Sequence, residues 1–250
     1  MTGEPPAVDM IDTGGRRVAY RLRPGRSPTL VFLPGYASDM DGTKAVALDA
    51  FASGRGLAML RLDYSGTGSS EGRFEDGTLA LWLEEVLAAV DRLTHGPLIV
   101  IGSSMGGWIA LHLALLRPGR VQAVVGIAAA PDFTDWGFGA DARRMLEANG
   151  RLGEPNADGS ASPQLLTRAF WESAQKLRLL GREIAIDCPV RLIHGEQDND
   201  VPLDIAHRTL RALRSADVQL LTIKGGRHRL SEPHEIAAIV RTVAGLLEPV

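Results

Sequence analysis

The stretch Leu98-Ile99-Val100-Ile101-Gly102-Ser103-Ser104-Met105-Gly106-Gly107-Trp108 decides the fold predicted for this chain. A β-branched run ends at Gly102 and an apolar helical pattern starts at once, which is typical of a strand, a sharp turn and a helix. Ser104 then lies at the apex of the turn, where the free N–H groups of the helix start would stabilise a negative charge. A chance match is the alternative in a chain with 28 glycines. In this context the pattern predicts a nucleophilic serine.

Length and composition limit the class of protein. A chain of 250 residues suits one large α/β domain, and its net charge of -3, with Lys and Arg spread along the sequence, argues against a nucleic-acid partner. The single cysteine, Cys188, excludes an internal disulfide and suits a reducing compartment. Residues 1–12 show no targeting pattern, and no apolar run reaches about 18 residues. We therefore expect a soluble, cytoplasmic protein without a membrane span.

Strand and helix patterns alternate along the chain. The predicted strands are 17–23, 29–33, 57–62, 98–102, 121–127, 190–194 and 218–223. The predicted helices are 44–53, 79–93, 105–116, 203–213 and 235–247. Because parallel strands need crossover connections, this alternation predicts an α/β fold with a mostly parallel sheet covered by helices on both faces.

The interval 131–187 breaks this alternation, since it contains no convincing strand and is far longer than an ordinary connection of about 2 to 6 residues. We predict a small helical cap inserted into a body of residues 1–130 and 188–250, with helices near 142–148 and 163–180. Its aromatic side chains would line a substrate pocket or only pack the cap onto the body: Phe133, Trp136, Phe138, Phe170 and Trp171.

A serine nucleophile requires a base, and His228 is the best placed of the six histidines. It lies in the glycine-containing loop directly after the last predicted strand, at the sheet edge where Ser104 is expected. Each of the other histidines has a structural explanation from its place in a helix, in a turn or at the amino end of a strand: His95, His112, His194, His207 and His234.

The acid that orients the base should follow a strand between the serine and the histidine. The loop after the strand 190–194 offers Glu196, Asp198 and Asp200, and we choose Asp198 because Asp200 is explained as a helix cap. The alternative is Asp132, at the end of the preceding strand.

The oxyanion of such a reaction needs two N–H donors. Met105, which follows the nucleophile, and Tyr36, which follows Gly35 in the loop after the first buried strand, are the predicted backbone donors. The glycine-rich turns lack the remaining residues of nucleotide-binding loops, and no metal-ligand cluster is apparent. We expect no cofactor and no metal.

Several blocks along the predicted body carry a family resemblance: 32–36, 41–44, 63–66, 68–70, 102–108 and 188–192. With Ser104, Asp198 and His228 they resemble the α/β-hydrolase superfamily. Within it they are similar to the family of mitochondrial hydrolases with palmitoyl-protein thioesterase and mycophenolic acid acyl-glucuronide esterase activity. We expect this chain to lack a transit peptide, and its interval 131–187 resembles no block of that family.

The expected function is that of a serine hydrolase that cleaves carboxylic esters or thioesters through a Ser-His-Asp triad and an acyl-enzyme. A serine peptidase or an acyltransferase would use the same triad, and a non-catalytic binding protein of the same fold is a further alternative. The expected partner is a small-molecule or acylated substrate. The sequence does not indicate which oligomeric state the protein adopts.

Overall fold

Eight strands form the central sheet in a computed structural model, which describes residues 5–158 and 160–247. The strands of this sheet are β1 (Asp9–Asp12), β2 (Arg17–Arg23), β3 (Arg26–Leu33), β4 (Leu57–Leu62), β5 (Leu98–Ser103), β6 (Val121–Ile127), β9 (Val190–Gly195) and β10 (Val218–Ile223). Their order is β1-β2-β4-β3-β5-β6-β9-β10. The pairs β1·β2 and β2·β4 are antiparallel, whereas all later pairs are parallel. The predicted mostly parallel sheet is therefore confirmed.

Helices cover both faces of the sheet. They are α1 (Thr43–Arg55), α2 (Leu79–Leu93), α3 (Met105–Leu116), α4 (Phe133–Trp136), α5 (Ala140–Asn149), α6 (Arg168–Lys176), α7 (Leu203–Ala212) and α8 (Pro233–Gly245). Alternate residues of β3 face opposite sides, so that Leu30 packs with α1 and α8 whereas Val31 packs with α2 and α3. Among the described helices, none is both long and apolar enough to cross a lipid bilayer.

Strand β1 was not predicted from the sequence. It pairs with β2 through Ile11↔Val18, and Ile11 is its one buried residue. Four residues with one inward apolar side chain are too few to show an alternation of apolar and polar residues. Only the pairing with β2 reveals this edge strand.

The segment between β6 and β9 contains helices α4 to α6 and a two-stranded sheet of β7 (Arg151–Leu152) and β8 (Leu166–Thr167). The sequence predicted no strand there, because two-residue strands are too short for a periodic signal. Helix α6 begins later than predicted, since the Thr167 hydroxyl caps it by accepting a hydrogen bond from the Phe170 N–H at 3.1 Å. The predicted body and cap ranges also include residues 1–4, 159 and 248–250, which lie outside the described residues.

Candidate active site

Ser104 lies in a strained turn between β5 and α3. Its backbone has φ 52° and ψ −119°, a conformation that costs a non-glycine residue of order 1–3 kcal/mol. Hydrogen bonds on both sides hold the turn: the Ser104 N–H donates to the Ile127 carbonyl at 2.9 Å, and the Ser104 carbonyl accepts from the Ala130 N–H at 3.0 Å. The neighbouring strand β6 and the residues that follow it therefore determine where the serine hydroxyl points.

Two glycines make this turn possible. A Cβ atom at Gly102 would lie 2.1 Å from the Gly106 carbonyl oxygen, and one at Gly106 would lie 2.1 Å from the Leu33 carbonyl oxygen. Both distances are far below van der Waals contact, so neither position has room for a side chain. The small residues in the predicted turn between strand and helix therefore have a direct steric cause.

His228 and Asp198 form a hydrogen-bonded chain with Ser104. His228, in the loop after β10, places Nε2 3.1 Å from Ser104 Oγ and Nδ1 2.8 Å from Asp198 Oδ2. Because a carboxylate only accepts hydrogen bonds, Nδ1 carries the proton and Nε2 is left to accept the serine proton. The structure thus brings together the three side chains that the sequence predicted as nucleophile, base and acid.

The Asp198 side chain is fully buried yet favours its ionised form. Burial acts to raise its pKa, but the hydrogen bond from His228 and the N–H groups of Val201 and Asp200 outweigh burial and lower the pKa. Both of these N–H groups donate to Oδ1 at 2.9 Å, which leaves Oδ2 for His228. Near neutral pH the site therefore contains a carboxylate that holds the imidazole in one tautomer and orientation.

The predicted oxyanion donors lie beside the serine. Gly35 approaches so closely that a Cβ atom there would lie 3.3 Å from Ser104 Cβ. Within residues 5–158 and 160–247, the backbone N–H groups of Tyr36 and Met105 donate to no other protein group. The Tyr36 phenol, whose pKa is raised by burial, donates to the Leu165 carbonyl. Both amides are therefore available to an oxygen above Ser104.

A cavity of about 470 Å³ opens on Ser104 and His228. Its apolar walls come from Phe32, Pro34, Tyr36, Ala37 and Pro163. Its polar walls include Ser38, Asp39, Thr43, Lys44, Asp200, Arg229 and Ser231. A substrate would therefore meet apolar surface on one part of the wall and charged or hydroxyl groups on the other.

Comparisons with known proteins agree with this fold. A family model described as alpha/beta hydrolase fold matches residues 28–166, which is more than half of the chain. The mitochondrial palmitoyl-protein thioesterase ABHD10 of Homo sapiens is 36% identical over 234 residues, covering 92% of this chain and 76% of that protein. The chain belongs to the α/β-hydrolase family.

Two solved structures support the same assignment. The alpha/beta hydrolase domain-containing protein 10 from mouse superposes with a TM-score of 0.89 at 34% identity and covers 96% of this chain and 98% of its own. A putative hydrolase from Agrobacterium vitis has a TM-score of 0.89 at 37% identity, with 98% and 100% of the two chains covered. Together with the fold, these relatives identify this α/β hydrolase as an enzyme that cleaves esters or thioesters.

The expected cytoplasmic location is wrong on this comparison, because the thioesterase relatives are mitochondrial proteins. The expectation rested on one cysteine, on residues 1–12 showing no targeting pattern and on the lack of a long apolar run. These features describe redox chemistry and hydropathy, which several compartments share, and they do not identify one compartment.

The five aromatic residues of segment 131–187 that were predicted to line the pocket or pack the cap do not line the cavity over Ser104. Phe170 is buried, with its ring centroid 5.1 Å from that of Tyr36. Trp171 and Trp136 donate their indole N–H groups to the carbonyls of Thr134 and Pro131, and Phe138 packs against Phe133 at 6.5 Å. The Phe170 ring thus packs against the body. The Trp171 indole instead joins α6 to α4, and the Trp136 indole joins α4 to Pro131 just before that helix, because a partly buried indole N–H needs an acceptor that the peptide backbone supplies.

The alternative acid, Asp132, has a different set of partners. Its two carboxylate oxygens accept hydrogen bonds from the N–H groups of Leu179 and Leu180 at 2.8 and 2.7 Å. Burial raises its pKa more than these bonds lower it. Asp132 therefore ties the chain after α6 to the loop that follows β6, and within the described residues it makes no hydrogen bond to His228.

Sequence reasoning missed the polar residues of the cavity wall, notably Lys44 and Arg229. Lys44 lies in the first turn of α1, and its ammonium group donates to the Arg229 carbonyl. Burial lowers the pKa of Lys44. The signal available in the sequence was the position of Lys44 just after the loop that follows β3, at the edge of the sheet where the serine was expected.

One group near the site has the composition of a metal site. Asp198, Asp200 and His228 each offer a potential ligand atom, and these atoms lie within 4.8 Å of one another. Since Asp198 and His228 already share a hydrogen bond of 2.8 Å, a metal ion would have to replace it. We assign no metal to these residues.

Proposed function

We propose that Ser104, His228 and Asp198 are the catalytic triad with which this α/β hydrolase cleaves long-chain acyl thioesters and esters. The observation that carries the proposal is the continuous chain of hydrogen bonds from Asp198 through both nitrogens of His228 to the serine hydroxyl. An acyl group on a protein thiol is the proposed substrate class, because the human relative is a palmitoyl-protein thioesterase.

In the proposed reaction each of these groups has a defined role. Ser104 Oγ attacks the acyl carbon while its proton passes to His228 Nε2, and the imidazolium formed is stabilised by Asp198. The N–H groups of Tyr36 and Met105 donate to the oxyanion of the tetrahedral intermediate. His228 then returns the proton to the departing thiolate or alkoxide, which leaves an acyl-enzyme. Water attacks this acyl-enzyme with His228 as base, the carboxylic acid departs, and Ser104 regains its proton.

We also propose that residues 131–187 act as a cap over this site. Pro163 from this segment forms part of the cavity wall. The Leu165 carbonyl accepts a hydrogen bond from the phenol of Tyr36, whose backbone N–H is a proposed oxyanion donor. The acyl chain would lie against the apolar walls, since each buried CH₂ contributes about 0.8 kcal/mol.

Labelling with a fluorophosphonate probe tests the assignment of Ser104, because the probe reacts only with an activated serine. We expect the wild-type enzyme and Ser103→Ala to be labelled and to hydrolyse a palmitoyl thioester. Ser104→Ala should lose both activities while it retains the far-ultraviolet circular dichroism of the wild type. Labelling of Ser104→Ala at the wild-type rate would show that another residue is the nucleophile.

A further inference from the structure

A second histidine lies next to the acid of the proposed triad. His194 is the penultimate residue of strand β9, and only 1% of its surface is exposed. Its Nε2 lies 3.5 Å from Asp198 Oδ2, the same oxygen that accepts the hydrogen bond from His228. The reaction described above makes no use of this buried imidazole.

The stronger contact of His194 is with the far end of the loop that contains Asp198. Its Nε2 lies 2.8 Å from the Val201 carbonyl oxygen, so Nε2 carries the proton and donates it. The Val201 N–H in turn donates to Asp198 Oδ1 at 2.9 Å. Val201 is thus held at both backbone groups: its N–H donates to the Asp198 carboxylate, and its carbonyl accepts from His194.

The near end of the same loop is fixed in another way. The Gln197 N–H donates to the Gly226 carbonyl at 2.8 Å, and the Glu196 carboxylate accepts from the Gly225 N–H at 3.0 Å. These bonds join the loop to the segment that contains His228. At the far end, the backbone hydrogen bonds of Val201 are made with His194 and Asp198, while its side chain packs with Ala130 and Ile205.

The charge state of His194 fits a donor role. Burial lowers its pKa, and the groups that act on it electrostatically are Asp198, His228 and His207. A neutral imidazole offers its Nε2–H without adding a second cation next to His228. It therefore does not compete with the imidazolium that forms on His228 during the reaction.

We infer that His194 is a positioning residue for the proposed triad: by holding the Val201 carbonyl it keeps the Asp198 carboxylate aligned with His228. This inference rests on the proposed function. If it holds, loss of the His194 donor lets Asp198 move, and the imidazolium of His228 then loses part of its stabilisation. The turnover falls, and the acid limb of the pH–rate profile moves to lower pH.

The experiment compares His194→Leu, His194→Asn and His194→Gln, since Leu retains volume without a donor, Asn is too short to reach Val201, and Gln places an amide N–H near the position of Nε2. We expect kcat to fall about tenfold in the Leu and Asn variants with KM within about twofold, and the acid limb of kcat/KM to move down by about half a pH unit. Gln should restore most of both quantities. His207→Gln, on the exposed side of α7, is the matched control and should behave as wild type.

Three outcomes would overturn the inference. The Leu and Asn variants could retain the wild-type kcat and pH profile, kcat could fall while the acid limb stays in place, or Gln could be as defective as Asn. If the Leu variant does not fold, the comparison of Asn with Gln decides alone. Failure of the proposed triad is detected separately, because it would appear as probe labelling of Ser104→Ala.

Discussion

At the scale of single residues, the candidate site depends on the strained backbone of Ser104 and on the two carboxylate oxygens of Asp198. Ser104 is kept at positive φ by hydrogen bonds to Ile127 and Ala130, while the Asp198 carboxylate divides its oxygens between backbone N–H groups and His228. The serine backbone and the His228 imidazole are therefore fixed before substrate arrives, while among the described residues the N–H groups of Tyr36 and Met105 have no protein acceptor and can bind the oxyanion.

Ser104 and His228 should act as one unit. Because the serine proton has no other acceptor in the proposed reaction, we expect His228→Ala to reduce kcat about as much as Ser104→Ala does. The double variant should be no slower than either single variant, as measured by hydrolysis of a p-nitrophenyl ester. A double variant that is much slower than both would show that the two residues contribute independently.

Asp198→Asn should lower kcat by up to about 10⁴, because the amide no longer favours the imidazole tautomer with a free Nε2. Asp132→Asn should instead lower the free energy of unfolding by about 1–3 kcal/mol, since it leaves one of the N–H groups of Leu179 and Leu180 without an acceptor. Steady-state kinetics and urea unfolding of both variants check this. Asp200→Asn is the control and should remain within about threefold of wild-type kcat.

If Asp132→Asn proved the more damaging change for kcat at equal folded fraction, the assignment of Asp198 as the acid would be wrong. The comparison is informative because both aspartates are buried and both accept two backbone hydrogen bonds, so their effects on folding are similar in kind.

At the scale of elements, helix α3 connects the serine turn to the chain that follows α6. Trp108 Nε1 and His112 Nε2 both lie within hydrogen-bond distance of the Leu177 carbonyl, at 3.0 and 2.8 Å. The same helix that orients Ser104 therefore also fixes one end of the proposed cap, so a change in either can affect the other.

The burial of His112 predicts a dependence of stability on pH. Burial lowers the pKa of His112 from its ordinary value near 6.5, whereas Asp132 opposes that effect. Since the unfolded chain then binds more protons than the native protein, stability falls as pH drops below about 6.5, by at most about 1.4 kcal/mol per pH unit for this group. Urea unfolding between pH 5 and 8 should show this loss, and His112→Gln should reduce it.

His207→Gln is the control for the pH experiment, because His207 is exposed on α7. The unfolding free energy of this variant is measured over the same pH range as that of His112→Gln. An identical slope for His112→Gln and the wild type would mean that His112 has the same pKa in the folded and unfolded chain.

At the scale of the whole molecule, the body rather than the segment 131–187 supplies most of the cavity wall. Pro163 is the residue of that segment among those that line the cavity over Ser104 in the described structure. The tryptophans of the segment direct their indole N–H groups to backbone carbonyls of the same segment instead. Selectivity for the acyl group should therefore depend mainly on loops of the body.

Acyl-chain preference tests this view. We expect kcat/KM to rise from acetyl to octanoyl p-nitrophenyl esters, by up to about fourfold for each CH₂ that becomes fully buried. Trp136→Ala and Trp171→Ala should lower the free energy of unfolding but leave the octanoyl-to-acetyl ratio within about twofold of the wild type. A flattened ratio in either variant would place the acyl pocket beneath the segment 131–187.

The sequence by itself determined the alternation of strands and helices, the sharp turn at Ser104 and the order of serine, acid and histidine. These features are local: side-chain periodicity defines β5 and α3, and steric exclusion at Gly102 and Gly106 defines the turn between them. The loops after β9 and β10 could be placed near the serine because parallel strands end at one edge of the sheet.

Only the tertiary structure decided which groups meet. Asp198 and Asp132 both follow strands of the same sheet. They differ in their distant partners: Asp198 contacts His228, 30 residues away, whereas Asp132 contacts Leu179, 47 residues away. The partners of His194 and the packing of Trp171 are likewise set by the approach of separate elements. Such contacts depend on how separate elements pack and on which buried polar groups need a hydrogen-bond partner. A short stretch of sequence does not specify either.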